Sequence, residues 1–273
     1  MSEDGLDLAL SKIRPQTASS LEHQKAPANL LRALEATIDE KKTERTSTAY
    51  FAALLTALGG TLQNDDDASS DLALDEGDMI PAELYLLALI APFVPPPVVR
   101  GNLSTILSLT SPLFPPLMTH APPLRSQIGL YGSVLNALDS SQLDIQGIRQ
   151  CFASILQLCL DGRPKVRKRA AEVIKDVLSS PPTPLIRHPY SDRVAEWVKS
   201  TLTDIITNAV SRSKRSTYNL DAAEVALHLL AFLRQVILGL PPSVSRSLCR
   251  LCLITLFFSP YTRFPPCFYH YLA

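Results

Sequence analysis

Four residues near the end of this sequence have the types and spacing to hold a metal. Cys249-x2-Cys252 and Cys267-x2-His270, separated by fourteen residues, match the spacing of zinc ligands. A zinc site also needs tight turns that aim its thiolates inward, yet "CRLC" begins the apolar run "LCLITLFF" and contains no glycine. No metal and no cofactor are therefore expected. Nucleophilic catalysis requires a positioned nucleophile and base. His23, His120, His188 and His228 accompany no such set, and "LGGT", the one glycine pair, is not followed by a lysine that would make a phosphate loop. The sequence reads as a protein without enzymatic activity or a small-molecule substrate.

The stronger chemical signal is electrostatic. In "DGRPKVRKRAA", five of the seven residues from Arg163 to Arg169 are basic and none is acidic. Lys and Arg on one helix face can neutralise phosphates and give salt-sensitive, sequence-independent binding to RNA. Arg163, Lys165, Lys168 and Arg169 are the candidates here, joined by Arg212, Lys214 and Arg215 of "SRSKRS". Three readings stay open for the cluster: an RNA contact, the solvated side of a packed helix, or a nuclear import signal. An import receptor reads an extended chain, which a folded helix presents poorly.

The elements that must carry this cluster are helical throughout. In "ANLLRALEATIDEKK", Leu30, Leu31, Leu34 and Ile38 recur at helical spacing, and in "TSTAYFAALLTALGGTLQ" so do Tyr50, Phe51, Leu54, Leu55, Leu58 and Leu62. Thr46 or Ser47 is placed to cap the second of these. Comparable segments are expected at about 82–91, 98–110, 124–138, 142–160, 165–179, 191–210, 220–238 and 243–257, with strand alternation nowhere. Prolines in "PFVPPP", "SPLFPP", "APP", "SSPPTP" and "LPP" punctuate them, because an internal proline removes a backbone donor and clashes with the preceding turn. One connection, about 64–79, carries seven acids and no base and reads as a disordered acidic loop.

At 273 residues, 46% of them apolar and 19% charged, the chain can bury a sizeable core. Its charges sum to zero but are polarised: residues 1–90 carry 16 acids and 7 bases, and residues 91–273 carry 10 acids and 19 bases. One basic face is thus compatible with a neutral total. The five cysteines are odd in number and lie in apolar surroundings, and "MSEDGLDLAL" does not read as a signal peptide, so reduced intracellular thiols are expected. No apolar run approaches the roughly 20 residues that span a bilayer.

Many helices with short connections suit either a bundle or a solenoid, and the basic stretch favours the solenoid. Pro164 fits the first helical turn, where its missing N–H is no loss. Val166, Ala170, Val173, Ile174, Val177 and Leu178 follow as one apolar stripe, and Arg167 can reach back to Asp161 in the turn before. Asp161, Pro164, Val166, Arg167 and Ala170 together form the pattern of the second helix of a HEAT repeat. The expected fold is an all-α, HEAT/armadillo-like solenoid of stacked antiparallel hairpins over residues 1–250. A poorly ordered aromatic and proline-rich tail is expected over 251–273, where "TLFFSPYTRFPPCFYHYLA" departs from that pattern.

The chain also resembles the N-terminal part of the ribosomal RNA-processing protein 12 family, in a fungal-looking version. The matching pieces, in order, are "LEHQKAPANLLRALEATIDE", "TAYFAALLTAL", "DGRPKVRKRAAEVIKDVLSSPP" with "HP" shortly after, and "ALHLLAFLRQVI". This resemblance implies a non-enzymatic scaffold of the nucleolus and nucleus. Its role would be in rRNA processing and in assembly and export of small-subunit precursors, through RNA and protein contacts. The implied partners are pre-ribosomal particles and nuclear transport factors. Family members are several times longer, so the chain is expected to be a truncated product. The alternative is a karyopherin-like or other HEAT adaptor that binds protein segments without RNA.

If the repeat signature is right, its roles divide by face. Val166→Asp should bury an unpaired charge and be tolerated badly, whereas Lys165→Glu with Lys168→Glu should barely move the thermal midpoint. Paired melting curves of the two variants test this.

Overall fold

The computed structural model describes residues 3–66, 74–75, 77–212, 220–240 and 242. Among these every regular element is helical. They belong to two compact units, residues 1–188 and 189–273. The segment expected at 243–257, the tail from 251 and the four candidate zinc ligands lie outside the described residues, as do Lys214 and Arg215.

In the first unit, α1 (Glu3–Ser11), α2 (Glu22–Glu40), α3 (Ser47–Asp66) and α4 (Met79–Ile90) are followed by three short helices, α5 (Pro96–Gly101), α6 (Leu103–Thr110) and α7 (Phe114–Leu117). Then come α8 (Ala121–Ala137), α9 (Gln146–Leu158) and α10 (Pro164–Ser179). Helices α2, α4, α8 and α10 pack side by side as one continuous layer, while α3 packs on α4 and α9 on α10 from the other side. This is the HEAT-type arrangement of stacked helical hairpins. The apolar stripes point where their spacing predicts: Leu31, Leu54, Leu58, Leu84, Ile128, Val166, Ala170 and Ile174 are all fully buried.

The seam between α8 and α10 is unusually close. A Cβ added to Gly132 would lie 2.9 Å from both Cγ atoms of Val173, and one on Gly129 would lie 2.5 Å from Arg169 Nη2. Because Gly129 faces Arg169 and Gly132 faces Val173, the register advances in step along both helices, so they run parallel. Near this seam Gln127 is buried, and its amide donates to the Thr110 carbonyl and, at 3.1 Å, to the Tyr131 hydroxyl.

A second polar node ties the first helices together. Arg14 Nε and the Tyr50 hydroxyl both donate to Glu35 Oε1 at 2.9 Å. Arg14 also holds Asp7 at 2.8 Å, and Arg45 forks onto Asp39. Burial and the Glu35 carboxylate push the Tyr50 phenol up to about 12.

Helix boundaries differ from the expectation where side chains compete with the backbone. The segment 98–110 is two helices, because Asn102 turns out of helical geometry and donates from Nδ2 to the Val98 carbonyl at 2.9 Å. The segment 142–160 opens as a single 3-10 turn, whose first amides Asp139 Oδ1 accepts at 3.1 and 3.0 Å. Thr46 is the cap of α3, accepting the Ala49 amide at 3.2 Å. In the acidic connection, α3 continues through Asp66, Leu74 is buried, and Asp75 and Asp78 close a turn in which the Asp75 amide donates to Asp78 Oδ2 at 2.6 Å. Gly77 holds φ +110° there, a conformation that favours glycine. His188 lies in a loop and is buried, and burial lowers its pKa to about 4.

The second unit includes α11 (Ser191–Arg212) and α12 (Leu220–Val236), which pack on each other. Trp197 is a packing residue there, meeting the ring of Phe232 edge-on with centroids 5.7 Å apart.

The α8–α10 seam yields a prediction against simple propensity. Alanine is favoured over glycine inside a helix by about 1 kcal/mol, yet Gly132→Ala has no room beside Val173. It should lower stability by about 1 to 3 kcal/mol. Urea unfolding should show this loss, and Val173→Ala in the same chain should recover part of it.

Candidate nucleic-acid interface

The basic stretch sits at the turn from α9 into α10, and its five cations divide into two groups. Arg163 is occupied by the turn itself. Its own amide and its Nε donate to Asp161 Oδ1 at 2.8 and 2.9 Å, and its Nη2 donates to Oδ2 at 2.8 Å. Its Nη1 reaches the Met118 carbonyl at 2.8 Å. Arg167 also turns back, donating from Nη1 to the main-chain carbonyls of Asp161 at 2.6 Å and Gly162 at 3.3 Å. The expected Arg167–Asp161 tie therefore exists, but to the backbone, and the Asp161 carboxylate belongs to Arg163. That guanidinium holds the Asp161 carboxyl below the usual carboxylate range. Arg163, grouped by sequence with the candidate RNA contacts, is a structural residue of the turn.

Lys165, Lys168 and Arg169 form the second group. The side chain of Lys168 is 77% exposed and that of Arg169 is 42% exposed. Glu172 approaches them only loosely, at 3.9 Å from Lys168 and 4.0 Å from Arg169. Exposed pairs of this kind contribute a few tenths of a kcal/mol and leave the cations available. Val166 and Ala170 are fully buried and turn Lys165 and Lys168 outward, while Arg169 lies along the seam with its guanidinium against Gly129 of α8. Pro164 is the first residue of α10, as expected.

These cations line a groove of about 980 Å³ that crosses α2, α4, α8 and α10. Its lining includes Pro81, Ala82, Tyr85, Ala88 and Leu89 of α4, and Asp75 and Asp78 of the turn before α4. The Asp75 carboxylate lies 3.8 Å from His120 at the start of α8. A fourth cation, Arg125 of α8, joins the basic wall, and its Nε is shielded from solvent without an acceptor among the described residues. Sequence reasoning missed Arg125, although it is the one charged residue in "APPLRSQIGLYGSVLNA". It missed Tyr85 as well. Of the other candidates, Arg212 ends α11 in the second unit, while Lys214 and Arg215 lie outside the described residues. Among the described residues no three His, Cys, Asp or Glu side chains gather in a metal-binding group, and no helix is long and apolar enough to cross a membrane.

Residues 13–263 match the family model of RRP12-like, N-terminal HEAT repeats. The chain is 31% identical over 220 residues to "Ribosomal RNA-processing protein 12" of Saccharomyces cerevisiae, covering 77% of this chain and 17% of that protein. It is 24% identical over 251 residues to "Putative ribosomal RNA-processing protein 12" of Schizosaccharomyces pombe, covering 91% of this chain and 20% of that protein. The chain thus spans a fifth or less of the length of these relatives. No solved structure matches it.

The turn geometry makes stability depend on acid. Arg163 depresses the Asp161 pKa in the folded state, so the pair's contribution is fully present above the ordinary carboxylate value of about 3.9. It is lost as pH falls through the lower folded value. Asp161→Asn keeps an acceptor for the Arg163 amide but loses the ion pair. It should cost about 1 kcal/mol at neutral pH, and the gap from wild type should close well below pH 4. Urea unfolding at a series of pH values checks both statements.

Proposed function

As this chain belongs to the family of RRP12-like N-terminal HEAT repeats, we propose that it acts in ribosome biogenesis as a non-enzymatic scaffold. In this reading it supports pre-rRNA processing and the assembly and export of small-subunit precursors in the nucleolus and nucleus. It does so by holding pre-rRNA and assembly proteins. The observation that carries the RNA part is the basic wall of the groove. Arg125, Lys165, Lys168 and Arg169 line one cleft, and Glu172 pairs with Lys168 and Arg169 only at the limit of contact distance. Four cations on a rigid helical layer can neutralise several phosphates without rearrangement, and release of condensed counterions then favours binding. The names of the relatives, two of them ribosomal RNA-processing proteins, support the same direction.

A second reading takes the groove as a seat for a protein segment. Its favouring observation is the apolar lining from α4 together with both acidic and basic side chains in one groove. The two readings separate on salt. Lys165→Glu with Lys168→Glu should leave the melting point unchanged and weaken binding of the chain to a fluorescent pre-rRNA fragment. For an unpaired strand, the dependence of log affinity on log salt should become shallower by roughly 1.4, the share of two phosphate contacts. Affinity and slope that do not respond would remove the basic wall from RNA binding and favour the protein-segment reading.

A further inference from the structure

We infer that the groove takes unpaired RNA, with phosphates on the α8–α10 wall and one base stacked on Tyr85. The inference rests on the RNA reading of the same groove and adds which form of RNA enters and how it is oriented. Its first support is the charge distribution. Lys165, Lys168 and Arg169 line it from α10, and Asp75 and Asp78 line it from the turn before α4. The two aspartates are held in place by a built turn, with the Asp75 amide on Asp78 Oδ2 at 2.6 Å and the Asp78 amide on the Asp75 carbonyl at 3.1 Å. A polyanionic backbone is repelled by that acidic turn and drawn to the cations of α8 and α10. What rests on the α4 lining is then the uncharged part of a nucleotide, its base.

The α4 lining is suited to a base. Tyr85 is a large aromatic side chain left 43% exposed on a largely buried helix, while its α4 neighbours Leu84, Leu86 and Leu87 are fully buried. The ring lies in an apolar setting of Ala82, Ala88 and Leu89, and Arg125 of the adjacent α8 lines the same cleft with its Nε unsatisfied. Aromatic rings and guanidinium planes are the surfaces on which unstacked bases rest, and a cationic track beside them is the usual arrangement of single-strand sites. A duplex keeps its bases stacked and paired inside, so it could touch the cations but could not offer a base to Tyr85.

The test uses the full chain, fluorescence anisotropy, and two probes of equal length, an unpaired oligouridine and a blunt RNA duplex. The expected result is tighter binding of the unpaired probe. Tyr85→Leu, which keeps an apolar side chain and removes the ring face, should weaken that binding roughly tenfold with its salt slope unchanged. Tyr85→Phe should restore it, and neither change should alter duplex binding. Equal affinity for the two probes, or an unpaired-probe affinity indifferent to Tyr85→Leu, would overturn this inference. If the double lysine variant still weakens binding in that case, the RNA reading of the groove survives and only the stacking site falls. Failure of the wild-type chain to bind either probe would overturn both.

Discussion

At Gly129 and Gly132 the backbone of α8 lies bare against α10, with no Cβ between its main chain and the side chains of Arg169 and Val173. Most of what the first unit offers a ligand depends on this approach. It brings Arg125 of one helix beside Lys165, Lys168 and Arg169 of the next, so that cations forty residues apart in sequence line one cleft. It also buries the apolar stripe of α10, from Val166 to Leu178, which in turn leaves Lys165 and Lys168 no direction but outward. Packing here determines electrostatics: the positive wall exists because the opposite face of the same helix is fully occupied.

The basic run itself is divided by geometry into cations that hold the protein and cations that are free to meet something else. Arg163 and Arg167 turn back into the bend before α10, where Asp161 supplies both a carboxylate and a carbonyl. A guanidinium can serve several acceptors at once through its fixed fork of donors, and both of these do. The lysines, with a single flexible ammonium each, are not used in the turn. Within the turn the fixing is done by arginine, and the cations left to line the groove are Lys165, Lys168 and Arg169.

Much of the fold could be read from sequence because it is written in periodicity. The stripes of α2, α3 and α10, the Thr46 cap and the proline at the start of α10 are local features, and the structure has each where its residues placed it. What escaped depends on partners distant in sequence. Nothing local marks Glu35 as the acceptor for Arg14 and Tyr50, or Tyr85 as the exposed ring of a largely buried helix. The Asn102 break is a local competition between an amide side chain and the helix ladder, and periodicity alone is blind to it. For the candidate site, the helix and the outward face of Lys165 and Lys168 were apparent. The removal of Arg163 and the addition of Arg125 required the seam and the turn to be seen in three dimensions.

The parallel seam also sets where this part of the chain can change length. Gly129 meets Arg169 forty residues later and Gly132 meets Val173 forty-one later, but the chain between the helices takes no part in that register. Residues can be gained or lost between 138 and 163 with the seam intact, provided that the α9 packing and the Asp161 turn are kept. One residue inserted between Gly129 and Gly132 is a different event. Each residue turns an α-helix by about 100°, so the second glycine would rotate off the contact and a side chain would arrive opposite Val173. Length variation in this unit is therefore expected to concentrate in the connections, with α8 conserving its residue count even where its composition drifts.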